Sequence, residues 1–523
     1  MRRLLAGCFV LGFSSVAFAQ ADVIAGLDVE MHSIRNPRAL GREGAYPTGM
    51  NGIAFETTVC NIGSVGVKWR GPMLEKHPFI SLLIGCEANG RFVQISDRSY
   101  IKHTFAASNA SDCATCSDNS DSSVLAIGCS DTYDTGSNGD RYWLGPPGEL
   151  DPWLGNWVSA CSYLDHGDPP VAPPDDCDSK RSLDFSQIAA FDNVKNRCQV
   201  SDADLGTANA NFFMSGAYLI RGEAESNRSD SYATREFVPS WNGSSWDLTL
   251  SGGQLHGSIL REWSGSTLRS ATNGDDDGRV FIASLVTGPD ANGIYHYEYA
   301  VHNRDNSRGI SSFRLPVLPG ANITNVGFRD IDADATNDWT LTTRTTEIEW
   351  STTNDPLEWN TIYNFWFDAD VAPADGMRAL VAEFRAGAGF DHFDISTTSP
   401  SGPAIGTRLG FGMAGGDGVF PDLALSGGLD VGGTVQLVTR YAAPSSFALA
   451  FLGTDSTGLD YRGGKIVPFP PAWLYATATD AEGLLQCTDV GVGGSFDLFM
   501  QIAVVDASAP NGIELTEAVE IVH

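Results

Sequence analysis

The chain has 523 residues, with 33 Lys and Arg against 64 Asp and Glu, for a formal net charge of −31. So negative a surface repels phosphate backbones and anionic lipid, which argues against nucleic-acid and membrane-surface partners. With 42% hydrophobic and 10% aromatic residues the composition is globular rather than disordered, and the acid excess suits a salty medium in which screening relieves self-repulsion.

Taken in chain order, the first element is a leader over residues 1–19. Arg2 and Arg3 form a positive start, Leu4 to Phe13 is an apolar run, and Ala17-Phe18-Ala19 offers small residues for cleavage. Leu5-Ala6-Gly7-Cys8 has the residues of a lipoprotein signal, but it stands before most of the hydrophobic run and leaves too little chain to engage the export machinery. No later segment approaches the roughly 18 apolar residues that span a bilayer. Glu517 to His523 carries neither a hydrophobic tail nor a basic stop. The expectation is a secreted, extracellular protein, released or held at the cell surface only through other molecules.

Residues 20–240 read as a Cys-rich β domain. Gly52 to Cys60, Phe79 to Ile84 and Arg91 to Ile95 have the composition of strands, with Glu87-Ala88-Asn89-Gly90 as a hairpin turn. Ala107 to Asp176 is a long polar stretch with three Pro-Pro pairs, and such a stretch stays ordered only if crosslinked. Cys60, Cys86, Cys113, Cys116, Cys129, Cys161, Cys177 and Cys198 all lie in this domain. An even set in an exported chain predicts up to four disulfides, with the connectivity open. Cys113-Ala-Thr-Cys116 lacks the βαβ setting of a redox motif and the following His of a haem site; zinc remains an alternative. Cys487, alone in the rest of the chain, is expected to be buried and inert.

Trp241-Asn-Gly-Ser-Ser-Trp246 reads as a seam opening a β-sandwich domain over 241–396. Within it, Arg279 to Val286, Gly293 to Asn303, Ile310 to Val317, Thr340 to Ser351 and Ile362 to Asp368 are predicted strands. Tyr295, Tyr297, Tyr299 and Val301 share one face while His296, Glu298, Ala300 and His302 share the other, which predicts a half-buried antiparallel strand. After Thr397-Thr-Ser-Pro-Ser-Gly-Pro403, an Ig-like sandwich is expected over 404–523, with Phe496, Leu498, Met500, Ile502 and Val504 on one apolar face. The fold class is therefore mostly β, with tandem β-sandwich domains, the first Cys-rich and loop-rich.

Cys129-Ser-Asp-Thr-Tyr133, Tyr142-Trp-Leu-Gly-Pro-Pro-Gly-Glu-Leu-Asp-Pro-Trp-Leu-Gly155 and Lys102-His-Thr-Phe105 resemble a family of secreted planctomycete-type proteins without assigned function. So do Tyr297-Glu-Tyr-Ala-Val-His-Asn303 and Tyr363-Asn-Phe-Trp-Phe-Asp-Ala-Asp370, while Pro444 to Leu449 and Ala518 to Val522 resemble small sandwiches that end such proteins. The resemblance implies a Cys-rich N-terminal domain, C-terminal β-sandwich modules and an exported compartment. It implies no activity.

Nucleophile-elbow, H-E-x-x-H, C-x-x-C-H and phosphate-loop motifs are all missing from the sequence. Nothing selects a glycosidase pair among so many carboxylates. Three sets of residues still invite a function. His77, His103 and His166 lie in the crosslinked domain beside turns and carboxylates, so the fold can bring them to one Cu or Zn ion. Asp330-Ile-Asp332-Ala-Asp334-Ala-Thr-Asn337-Asp338 places oxygens at alternate positions as Ca²⁺ requires. It is no EF-hand, because Ala335 and Leu341 occupy the Gly and bidentate Glu positions. Asp275-Asp-Asp-Gly278 reads as a plain turn. Finally, Tyr142, Trp143, Trp153 and Trp157 offer either a sugar-stacking platform or a small core under the loops. Two readings follow: a secreted protein that binds polysaccharide or cell-surface matrix, and an extracellular metal-dependent enzyme built on the histidines.

Overall fold

A computed structural model describes residues 23–71, 73–166, 177–273, 278–387, 389–402, 404–491, 493–494 and 497–522. The leader, the Asp275–Asp277 turn, Phe496 and two of the Pro-Pro pairs (Pro169-Pro170 and Pro173-Pro174) lie outside these residues. The fold is mostly β, in antiparallel sheets that pack in pairs. Among the described residues no helix is long and apolar enough to cross a membrane.

The first unit pairs two sheets. In the smaller, Val29–Glu43, Met50–Asn61 and Cys198–Ser201 lie side by side and Ser130–Tyr133 joins Met50–Asn61. The larger runs Trp246–His256, Tyr232–Trp241, Asn211–Leu219, Phe79–Ala88, Ile101–His103 and Leu144–Gly145, with Arg91–Gln94 also on Phe79–Ala88. The predicted turn at Glu87–Gly90 is present. Asn89 and Gly90 both have positive φ (53° and 81°), the backbone that an Asn-Gly hairpin turn requires.

Met31, Phe55, Val59, Ile80, Leu82, Ile84 and Met214 fill the space between these two sheets. The Phe79–Ala88 strand is apolar without alternation because its other face is buried as well. There Leu83, Phe92 and Phe213 meet Ala283, Ala300 and Ile362 of the second unit. Side-chain amides stitch the contact: Asn364 Nδ2 donates to Phe92 O at 2.7 Å and Asn360 Nδ2 to Ser81 Oγ at 2.6 Å.

The second unit is a sandwich of two five-stranded sheets. One runs Thr267–Thr272, Arg279–Thr287, Tyr295–Asn303, Thr361–Ala369, Ile323–Arg329. The other runs Thr340–Thr343, Glu347–Ser351, Ile310–Pro316, Ala374–Glu383, His392–Ser399. Its core is aromatic, with Tyr297, Tyr299, Phe313, Trp350, Phe365 and Phe367 in stacked and edge contacts. The Tyr295–Asn303 strand departs from the half-buried expectation. Glu298, Ala300 and His302 are buried too, because the first unit covers that face. The polar groups are met there: Arg91 pairs with Glu298, and Ser258 Oγ lies 2.9 Å from His302 Nδ1.

The third unit faces a six-stranded sheet, Thr407–Gly410, Ala518–Val522, Asp497–Val505, Phe447–Gly453 and Trp473–Ala478 with Ile513–Leu515, against Asp422–Gly427, Thr434–Arg440 and Leu485–Val490. Met500, Ile502 and Val504 point into its core as expected, with Leu498 packed beside them.

Two expectations need correction. Trp241 to Trp246 is the turn of a hairpin inside the first unit, where Trp241 pairs with Trp246, so the sheets divide after His256 rather than at 241. The Cys set closes three disulfides, Cys60–Cys113, Cys116–Cys129 and Cys161–Cys177. Cys86 and Cys198 stay as thiols on core strands, where burial pushes each up to about 12, and Cys487 is exposed rather than buried. Alkylation of the native, unreduced protein is therefore expected to label Cys487 alone. Denaturation without reductant adds Cys86 and Cys198, and a missing Cys86–Cys198 label would show a fourth bridge.

Candidate functional site

The first unit's larger sheet ends in two very short strands, and the crosslinked excursion hangs from them. Ile101–His103 pairs with Phe79–Ile80 on one side and with Leu144–Gly145 on the other. This register brings the Lys102-His103 and Tyr142-Trp143 segments together although 40 residues separate them in sequence.

Two of the three histidines meet. His77 Nε2 lies 3.0 Å from His103 Nδ1, with the edge of Trp157 against both rings. The space is closed: a Cβ on Gly145 would fall 2.4 Å from His103 Nε2, so only glycine fits. Burial holds His77 down at about 4 and His103 well below its usual value, so both rings are neutral. His166 stands elsewhere, on the turn Tyr163–His166, with Nε2 3.4 Å from Cys177 Sγ. The predicted three-histidine Cu/Zn centre is therefore not assembled. Among the described residues, the His and Cys trios close enough for one ion are His32–Cys60–Cys113 and Cys161–His166–Cys177. In each, two of the three are the sulfurs of a disulfide, which are not thiolate ligands. His296 is also committed, with Nδ1 2.5 Å from Asp368 Oδ1 and Nε2 2.9 Å from Glu298 Oε1.

The four aromatics divide. Trp157 is core beside the histidines, and Trp153 is buried under Arg228, whose Cζ sits 4.3 Å from its ring centre. For these two the core alternative holds. Tyr142 and Trp143 lie half-buried at the surface on a single 3₁₀ turn capped by Asp140, which accepts from Tyr142 N at 3.0 Å. Tyr142 stacks on Phe185 (4.2 Å between centroids, 15° between planes) and carries Arg181 over its ring at 3.5 Å. Trp143 stands edge-on to Tyr142 at 4.6 Å and reaches Phe105 at 5.9 Å.

The result is a ridge, Phe105–Trp143–Tyr142–Phe185, whose last ring is 69% exposed. Phe185 heads a short helix that Asp184 and Gln187 close with reciprocal backbone bonds. The Asp184-Phe-Ser-Gln187 capping box was the sequence signal for its placement. Nothing in the sequence shows that this ring finds Tyr142.

The acidic loop adopts the alternating turn its spacing suggests. Asp332 N donates to Asp330 Oδ1 at 3.0 Å and Asp334 N to Asp332 Oδ1 at 2.6 Å, while Asp334 turns outward to Thr336. Asp330 is 6% exposed, and its Oδ2 is a buried acceptor without a partner, as is Asn337 Oδ1. Burial, with Asp332, Asp355 and Asp338 nearby, pushes Asp330 up to about 6. Asp355 comes from a separate segment and was not legible in the loop itself. The loop's carboxylates do not all lie within reach of one ion.

No protein-family model matches the chain, and no curated protein matches it.

Lys102 lies behind the ridge, buried between Phe105 and Tyr133, with no hydrogen-bond partner for Nζ. Burial pushes it down to about 7. An unfolded lysine keeps its proton to about 10.4, so this residue weakens the fold most below pH 7 and progressively less from pH 7 to about 10. Lys102→Met is expected to raise the melting temperature by several degrees at pH 6 and by much less at pH 10. A variant less stable than the parent at pH 6 would contradict the assignment.

Proposed function

We propose that this is a secreted protein of the planctomycete-type group it resembles, and that it binds extracellular polysaccharide or cell-surface matrix through the Phe105–Trp143–Tyr142–Phe185 ridge. The exposed, pre-stacked ridge carries the reading. Sugar rings present faces of C–H groups that pack on aromatic faces. A ring already fixed by its neighbours loses little freedom when a ligand arrives. Three features make this ridge rigid: the disulfide Cys161–Cys177 nearby in sequence, the capped turns at Asp140 and Asp184, and Arg181, which donates to Tyr142 O at 2.5 Å and Leu183 O at 2.7 Å. Three disulfides also suit an oxidising compartment, as export requires. In this reading the Asp330–Asp338 loop takes up Ca²⁺ as a structural ion, which gives the buried oxygens of Asp330 and Asn337 the partner they lack.

Affinity electrophoresis against a panel of soluble and insoluble polysaccharides tests the ridge. At least one is expected to retard the protein. Trp143→Ala and Phe185→Ala are expected to weaken that binding roughly tenfold each, the scale of one lost aromatic contact of about 1.4 kcal/mol. Trp473→Ala, an exposed ring of the third unit, should leave it unchanged. Retardation by none of the panel, or equal binding by the ridge variants, would remove the proposal.

A further inference from the structure

The third unit closes unevenly. Its six-stranded sheet faces one of three strands, and each sheet ends in a strand with a single neighbour among the described residues. Trp473–Ala478 pairs only with Phe447–Gly453, and Leu485–Val490 only with Thr434–Arg440. A short turn from Thr479 to Leu484 leads from one of these edges to the other, so together they bound one open end of the sandwich.

All six residues of Trp473–Ala478 are exposed, and so is Leu485–Val490 beyond Leu485. Residues directly opposed in an antiparallel pair share a face. Tyr475 opposes Ala450 and Thr477 opposes Ala448, both core residues, so Tyr475 and Thr477 look inward. Tyr475 is nevertheless 57% exposed. On the other sheet Cys487 opposes Leu437, which packs on the core, and it is exposed as well. The outer face is equally bare, with Leu474 52% exposed opposite the buried Phe451. Sheet edges are ordinarily guarded by Lys, Pro or a bulge that discourages further pairing. Trp473–Ala478 contains neither residue type, and its register runs unbroken.

Charge indicates what can cover this edge. Neither 441–454 nor 466–479 contains a charged residue, in a chain of net charge −31. Most of the surface repels a second copy of the chain, and this part of it does not. The strand is also self-complementary, with bulky Trp473, Leu474 and Tyr475 followed by small Ala476, Thr477 and Ala478. Consider it laid antiparallel on its own copy about a two-fold axis at Ala476. Leu474 then faces Ala478 of the second copy, Tyr475 faces Thr477, and the two Ala476 residues face each other. That register keeps inward residues inward on both copies, as a continuous sheet requires.

We propose that the protein forms a two-fold dimer in which the Leu474–Ala478 edges of two copies pair and join their six-stranded sheets into one. The pairing is independent of the ridge, and Trp473 stands outside it. A single strand pair covers less than the roughly 800 Å² per partner of a standard interface, so the dimer forms in the micromolar range.

Sedimentation equilibrium of the full mature protein, from about 1 to 200 µM, tests this. The mass is expected to rise from one subunit to two and no further, because a two-fold pairing uses up the free edge. Ala476→Lys sets two ammonium groups against each other on the axis. The position is exposed, so the monomer should keep its circular dichroism and melting temperature while dimerisation needs at least about tenfold more protein. Ala476→Cys, in a Cys487→Ser background, is expected to give a covalent dimer with oxidised glutathione, because the two thiols face each other across the axis. Val431→Cys, at a residue of the same unit that is 83% exposed, should not. A single-subunit mass at every concentration would overturn the proposal. So would a dimer that Ala476→Lys leaves intact, or crosslinking with no preference for position 476 over 431.

Discussion

The sheet built on Phe79–Ala88 and Asn211–Leu219 is buried on both faces, and the arrangement of the first two units depends on that. One face closes over Met31, Phe55 and Met214, and the other presses Leu83, Phe92 and Phe213 onto the second unit. A sheet covered on both sides cannot slide or twist independently of its neighbours. Its free edge is extended by Ile101–His103 and Leu144–Gly145, and the ridge residues flank those two strands. The rigid element is thus the sheet, and the crosslinked excursion is a surface feature pinned to its rim. Disulfides, aspartate caps and the Arg181 clasp replace the ladder that an excursion of this length lacks.

Electrostatics follow a division of labour that the net charge conceals. The acid excess is mainly on the surface, while arginine serves as the internal clasp. Arg42 and Asp202, Arg304 and Asp305, Arg308 and Glu383, and Arg440 and Asp422 all pair where at least one partner is almost fully buried. Guanidinium suits the task because its planar fork satisfies two carboxylate oxygens at once and remains charged when buried. Asp202 shows the pattern fully: besides Arg42 it accepts from Gly49 N, Asn51 and Trp246, which hold its carboxyl well below the usual range. Against that background the buried Oδ2 of Asp330 lacks any such clasp.

The fold was legible where local pattern decides it. The Asn89-Gly90 hairpin, the apolar face from Leu498 to Val504 and the β-rich class needed only turn chemistry and period-two alternation. Most of the failures concern a partner distant in sequence or on another sheet. The Tyr295–Asn303 strand alternates cleanly, yet its polar side is buried because Arg91 of the preceding unit and Ser258 of the connection after it answer it. The change in texture near Ser240 falls on a hairpin turn within the first unit, well after Cys198, and not at the end of a sheet. Cys86 and Cys198 belong by count to the disulfide set and by position to core strands, and position decides. In the candidate site, Tyr142 and Trp143 were found by composition, whereas Phe185 and Phe105 join them only through folding. The histidines were grouped by residue type, and only His77 and His103 share a place.

The central claim is that the ridge on the sheet's rim is the ligand-facing surface. Hydrogen–deuterium exchange of the intact protein, with and without a retained polysaccharide, tests it most directly. The account predicts added protection in 103–106, 141–145 and 181–188, with little change across the second and third units. Protection confined to the third unit, or to the groove beside Trp241 and Trp246, would contradict it.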